Sequence, residues 1–481
     1  MEMKVLIGTS EIYPYSKTGG LADMAGSLTV ALAKKGIEVI VVTPLYKGIA
    51  DKFPDLQDQQ INFQITVGSK TVPCSIIGTK QPDSPKILFV KNDSYFDRDG
   101  IYQSNGLDFA DNAERFIFFS KCIVKLAKDF LKPDIVHVHD WQTGLVSLIF
   151  HHESITSSEP SPPVVFTIHN LAYQGNFPPD FYPLTNLPWH YYNIDGVEFF
   201  GQMSLLKAGI VFATKITTVS PTYSKEIQTL DFGCGLDGVI RKRKSDLIGI
   251  LNGVDYNEWN PTRNKWLPHK FSSKNLRGKL LNKRFLQKSL NLIEDPSIPV
   301  FANVGRLAEQ KGLDILLPAL EQKLHSQIQF VLLGAGDPEY EKKFLSLADK
   351  FPGKVAVKLG FNHGLPHQIF AGSDFFVMPS RFEPCGLSQL YALKFASIPI
   401  VRAVGGLNDS VIDIRENLAN ADGIKFFEYS TEALLKAFDE ALVVYQNKGL
   451  LEFYRKNAMA ADFSIEKTAD NYIKVYSELK S

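Results

Sequence analysis

The 481-residue chain is too long for one hydrophobic core, and with 44% hydrophobic and 22% charged residues it reads as two folded domains of ordinary size. Lys plus Arg and Asp plus Glu both total 52, so no global field recruits nucleic acid or an anionic membrane, and any anionic ligand must be held by local charge. Four scattered cysteines without a Cys-x-x-Cys pair argue against a disulfide framework or a structural zinc site, and no apolar run approaches the length of a membrane span. The first strand starts at the very beginning of the sequence with no room for a leader, so a reducing, cytoplasmic setting is expected.

In chain order, the apolar strand at residues 4–8 is followed by a helix marked by Leu21, Met24, Ala25, Leu28, Ala31 and Leu32 and closed by Lys35-Gly36. Between them lies Ser16-Lys17-Thr18-Gly19-Gly20-Leu21-Ala22-Asp23. Two glycines at the mouth of a helix let backbone amides approach an anion closely, and Lys17 adds a full positive charge there. Further strands are read at 37–43, 134–140, 164–169 and 215–219, with a hairpin-like stretch near 61–90. Tyr173 to Phe200, rich in Pro and aromatic residues without periodicity, reads as an ordered surface excursion. The pattern restarts with strands at 300–304, 328–333, 355–359, 374–378 and 398–401, after a boundary near 244–250. Apolar strands alternating with helical stretches predict an α/β chain of two doubly wound, Rossmann-like domains. Ligands of such sheets bind beyond the carboxyl ends of the strands, which leads us to expect the active site in the cleft between the two domains.

The chemistry-bearing residues fall at those strand ends. Gly334-Ala335-Gly336 is half of a dinucleotide fingerprint, but Glu339 stands where the third glycine belongs, and neither Gly-x-Gly-x-x-Gly nor a P-loop follows the first strand. Arg306 after one strand and Lys311 entering the next helix can grip a diphosphate, the arginine through its planar fork and the lysine as a point charge. In Ser380-Arg381-Phe382-Glu383-Pro384-Cys385-Gly386-Leu387-Ser388, Glu383 can accept hydrogen bonds from sugar hydroxyls, while the amides of Cys385 to Ser388 and the Ser388 hydroxyl can hold phosphate. His139-Asp140 and His169-Asn170 end two buried strands; His137 is read as structural, with the opposite parity along its strand. No histidine pairing has metal-site spacing.

These motifs, in this order and from one end of the chain to the other, resemble the bacterial and plant-type glycogen/starch synthases. The resemblance rests on Lys17 to Asp23, His139-Asp140-Trp141, Thr167 to Gly175, Asn252-Gly253-Val254-Asp255, Arg306-Leu307 with Gln310 to Asp314, and Ser380 to Leu387. It implies retaining transfer of glucose from ADP-glucose to the nonreducing end of an α-1,4-glucan such as glycogen; no metal or other cofactor is expected, because no Asp-x-Asp ends a strand and Arg306, Lys311, Lys17 and the amides after Cys385 can neutralise the leaving group. It further implies that Lys17 and Gly20 contact the donor, that Arg306 and Lys311 bind its diphosphate, and that His169 and Asp140 lie by the transferred glucose. Glu383 and the amides of Cys385, Gly386 and Leu387 would hold sugar hydroxyls and the distal phosphate, with Asn252 and Ser388 also among the substrate-binding residues. Tyr391 stands where many retaining relatives carry a second glutamate, which favours the polymer-building branch; Ser388 replaces a more usual threonine and Gln142 a common histidine. The final helix, with Phe463, Tyr472 and Tyr476, is expected to return to the first domain, giving domains 1–247 plus 463–481 and 248–462. UDP-glucose as donor, another acceptor, or a catalytically silent glucan-binding protein are the alternatives at this level; a pyridoxal-phosphate phosphorylase is disfavoured.

Overall fold

The computed structural model describes residues 3–80, 85–104, 106–157, 160–360 and 362–480. Its chain divides into two units, Met1–Ile250 with Ile465–Ser481, and Leu251–Ser464.

The first unit is built on nine strands: β1 (Lys4–Gly8), β2 (Glu38–Pro44), β3 (Gln57–Val67), β4 (Lys70–Gly78), β5 (Lys86–Lys91), β6 (Ile135–His139), β7 (Val164–Ile168), β8 (Lys215–Thr218) and β9 (Leu247–Gly249). They lie in the order β9-β8-β7-β6-β1-β2-β5-β4-β3. Every pairing is parallel except those of β4, which runs antiparallel to both β3 and β5. The expected hairpin-like stretch thus extends the sheet outward, although residues 81–84 of it lie outside the described residues. β1, β6 and β7 are buried almost throughout, as strands covered on both faces must be. The chain leaves β1 towards β2 on one side and returns to β6 on the other, so the order reverses between β1 and β6, where a crevice opens at the strand ends.

β9 corrects the expected boundary. A cut after 247 would split this strand, yet Ile216 pairs with Leu247 and Thr218 with Gly249 in one ladder, and the first unit runs to Ile250. The excursion from Tyr173 carries its own antiparallel sheet of Asn176–Phe177, Gln202–Ser204 and Glu198–Phe199. It is pressed onto the framework at Gly175, where a Cβ would come within 2.5 Å of the Trp141 ring.

The helix Ile465–Lys480 belongs to the first unit. Tyr472 and Tyr476 are fully buried, and the Tyr476 hydroxyl lies 2.7 Å from Nδ1 of His137. Phe463 does not join them: it packs in the second unit against Val254, Leu390, Leu393 and Ala458. His137 is structural as expected, with Nε2 2.6 Å from the Thr167 hydroxyl. The parity reading was wrong, because residues two apart share a strand face and the rings of His137 and His139 lie 4.2 Å apart. All four cysteines are free thiols, with Sγ of Cys74 and Cys122 3.7 Å apart.

The second unit repeats the architecture with six parallel strands: β10 (Val300–Val304), β11 (Gln329–Gly334), β12 (Val355–Leu359), β13 (Phe375–Met378), β14 (Ile398–Arg402) and β15 (Ile424–Phe426), ordered β12-β11-β10-β13-β14-β15. Phe301 lies in its core, with its ring centroid 5.0 Å from that of Phe375 and 4.8 Å from that of Phe438. Here the order reverses between β10 and β13. Their ladder holds the partners Phe301↔Phe375 and Ala302↔Phe376; beyond it the buried Asn303 amide donates to the Val377 carbonyl at 2.7 Å.

Candidate active site

In the second unit, the loops leaving β10 and β13 flank that reversal, and they carry Arg306, Lys311 and Glu383. Arg306 is exposed directly after β10. Two glycines of Gly334-Ala335-Gly336 explain the course of its loop: a Cβ on Gly334 would lie 2.1 Å from the Gly305 carbonyl, and one on Gly336 would lie 2.3 Å from that of Leu307. That motif is a packing device beside the Arg306 loop.

Residues 309–314 are stitched to residues 379–383. The Arg381 amide donates to the Gln310 carbonyl at 2.8 Å, and the Gln310 side chain donates to Phe382 O at 3.2 Å. Gly312, at φ +69°, sits so close to Pro379 that a Cβ would fall 1.9 Å from its carbonyl oxygen. This approach delivers Lys311, whose Nζ lies 2.7 Å from Oε2 of Glu383; the same oxygen accepts from the Ser380 hydroxyl at 3.0 Å. Glu383 is only 5% exposed, so its charge is held by that pairing rather than by water. Replacing Gly312 with alanine is expected to cost about 1–3 kcal/mol of stability, through a disfavoured positive φ and a forced separation of the two loops. Thermal unfolding checks this: an unchanged melting temperature would mean that the loops are not held at this distance.

After Glu383 the chain turns through Gly386, at φ +74°, into the helix Ser388–Lys394. Gln389, fully buried, donates to the carbonyls of Cys385 at 3.1 Å and Gly386 at 3.0 Å, tying down the acceptors of this turn. The Gly406 amide donates to the Glu383 carbonyl at 3.0 Å, and a Cβ on Gly406 would lie 2.2 Å from that of Cys385. Burial pushes the Cys385 thiol up to about 12, against the pull of the Asn252 backbone N–H, which keeps it protonated near pH 7. Asn252 is buried with Oδ1 unpartnered. The Ser388 hydroxyl, expected to face phosphate, donates at 3.4 Å to Val304 O at the end of β10. Tyr391 stacks on Trp259 with centroids 3.7 Å apart. Gln310 was read only as part of the Gln310 to Asp314 motif, with no role of its own, and Gln389 and the Gly405-Gly406 pair were not singled out from sequence; of these last, only the doubled glycine opening the helix Gly405–Ser410 offered a signal.

In the first unit, Asp140 and His169 end β6 and β7 and are brought together: the His169 amide donates to Oδ1 of Asp140 at 2.7 Å. Asp140 adopts φ +56°, turning the chain at the strand end. Part of the residue reaches solvent, yet desolvation pushes its carboxyl up to about 7, with the His169 and Asn170 amides pulling down and the charge of Glu11 pushing up. His169 Nε2 lies 3.1 Å from His139 Nδ1; burial lowers His169 to about 3 and His139 well below its usual range, so both rings are neutral near pH 7.

The loop after β1 departs from expectation. The Thr18 and Gly19 amides at the mouth of the helix Gly20–Lys34 already donate to an anion, the carboxylate of Glu11, a residue that sequence reasoning passed over. Lys17 lies outside that contact, 2.7 Å from Asp23, with both side chains partly exposed. Among the described residues no group of three or more His, Cys, Asp or Glu could hold a metal ion, and no helix is long and apolar enough to cross a membrane.

Two Rossmann-like units, one carrying an ion-paired lysine and a buried carboxylate at its strand-order reversal, are the architecture of a class of glycosyltransferases. Residues 4–242 match the starch synthase catalytic domain family, and residues 283–480 the glycosyl transferases group 1 family. The chain is 42% identical over 480 residues to a glycogen synthase of Anaeromyxobacter sp., covering 99% of each chain, and 42% identical to that of Myxococcus xanthus, again over 99% of each. Among solved structures, the catalytic domain of starch synthase IV from Arabidopsis thaliana, bound to ADP and acarbose, superposes with a TM-score of 0.91 at 30% identity over 100% of both chains. A sucrose-phosphate synthase from Thermosynechococcus elongatus, at 17% identity and TM-score 0.62 over 99% of each chain, shares the fold alone. The chain belongs to the glycogen/starch synthase family of glycosyltransferases.

Proposed function

We propose that this enzyme transfers glucose from ADP-glucose to the nonreducing end of an α-1,4-glucan, with retention at the anomeric carbon, in the cytoplasm. The observation that carries the residue assignment is the Lys311–Glu383 pair at the strand-order reversal of the second unit, with Arg306 in the same loop as Lys311. Arg306 and Lys311 neutralise the departing diphosphate, and the amides from Cys385 to Leu387 receive its distal phosphate. Glu383 accepts from the glucosyl hydroxyls and stabilises the ring as it gains positive charge. Asn252 offers an unpartnered acceptor near Cys385. In the first unit Lys17 and Gly20 contact the donor, and His169 and Asp140 meet the transferred glucose. A neutral His169 suits that place, since an imidazolium would oppose a developing cation.

Fixed cations can do for the leaving group what a bound divalent ion does elsewhere, so the reaction is proposed to need no metal. The test is nucleoside diphosphate release from ADP-glucose or UDP-glucose with glycogen, in excess EDTA and then with magnesium added. ADP-glucose is expected to be the better donor, at a rate that chelation leaves unchanged. Preference for UDP-glucose would overturn the donor assignment, a strict need for the ion would overturn the role of the cations, and no turnover with either donor would leave a glucan-binding protein.

A further inference from the structure

Glu11 takes part in none of the roles above, yet it organises the loop after β1. It is 3% exposed, and its two oxygens gather four donors: the Thr18 hydroxyl at 2.6 Å and the Tyr102 hydroxyl at 2.7 Å on Oε1, the Gly19 amide at 3.3 Å and the Thr18 amide on Oε2. The surrounding shell is itself fixed, because Tyr102 OH also lies 2.7 Å from the Ser10 hydroxyl and Tyr46 OH donates to Ser10 O at 2.9 Å. On the other side of Lys17, the Ser16 hydroxyl accepts from the Ile12 amide at 3.2 Å, so both neighbours of Lys17 are pinned. An amide that already donates to a buried carboxylate has no hydrogen left for a phosphate oxygen.

We propose that Glu11 is a positioning residue whose carboxylate stands as an internal anion in the amide mouth of the Lys17–Gly20 loop, so that the loop offers a substrate the Lys17 ammonium rather than the backbone of Thr18 and Gly19. The role of Lys17 rests on the function proposed above; the pinning of the loop does not. Loss of the carboxylate strips four buried or partly buried donors of their acceptor at once. Glutamine differs: its carbonyl oxygen can keep the two amides, and its NH₂ can donate to the Thr18 and Tyr102 hydroxyls once these turn to accept.

Hydrogen exchange at Thr18 and Gly19, together with steady-state kinetics, tests this on the 481-residue chain. In the wild type both amides are expected to be protected despite lying outside the helix, and rapid exchange there would overturn the proposal without any variant. In Glu11→Ala the two amides should exchange at least about tenfold faster and KM for ADP-glucose should rise about tenfold, with kcat changed less. Glu11→Gln should restore both to within about threefold. Unchanged protection and KM in a folded Glu11→Ala overturn the proposal, as does a glutamine variant no better than alanine. If the alanine variant does not fold, Tyr102→Phe, which removes one donor of the four, should accelerate the same exchange, and failure to do so counts equally against it. A Lys17→Ala enzyme of normal KM would remove the substrate contact of Lys17 while leaving the exchange result to decide the role of Glu11.

Discussion

Glu383→Gln is expected to lower turnover by roughly 30- to 1000-fold, the equivalent of about 2–4 kcal/mol in the transition state, while donor affinity changes far less. The substitution keeps the shape of the side chain and one acceptor for the Ser380 hydroxyl, so the buried turn has little reason to rearrange. What it removes is the negative charge, whose value is greatest when the glucosyl ring carries positive charge and least in the ground state. Measuring kcat and KM for ADP-glucose separates these: turnover near that of the wild type would remove Glu383 from the catalytic set, and a pure rise in KM would make it a binding residue.

Lys311→Ala should cost a similar amount, roughly 2–4 kcal/mol in kcat/KM, but for two reasons at once. It removes a cation from the proposed diphosphate grip, and it leaves the 5%-exposed Glu383 carboxylate with the Ser380 hydroxyl but without its cation. Because the side chains are 2.7 Å apart, the two substitutions should not add: the double variant is expected to lose at least about 1 kcal/mol less than the sum of the singles. Arg306→Ala, in the same loop as Lys311, should lose a comparable amount. A full double-mutant cycle on kcat/KM decides it. Strict additivity of Lys311 and Glu383 would mean that their ion pair does not persist when the donor is bound.

The two doubly wound units were legible because buried parallel strands are written as unbroken apolar runs, and the residues at their ends as polar interruptions. β9 and β15 were not, since three residues are too few to display a period. Lys311 and Glu383 were each visible as chemistry, but 72 positions separate them, and their contact depends on Gly312 meeting Pro379, a fact of packing that no local pattern carries. Glu11 was invisible for the opposite reason. A single carboxylate in Ser10-Glu11-Ile12 has no motif, and only the fold reveals that it fills the amide mouth read as open to ligand.

The first unit is completed by the helix Ile465–Lys480, so its sequence is interrupted by the whole of the second unit. The bond from His137 to Tyr476 spans 339 positions. During synthesis the ribosome must therefore emit the second unit before the partner of His137 exists, a delay on the order of 10–40 s at ordinary elongation rates. Through that interval the face of β6 that Tyr472 and Tyr476 will cover lacks its cover, whereas the second unit, contiguous in the chain, can close as soon as it emerges. The later-made half should thus mature first, and the nascent first half is where a chaperone would be needed.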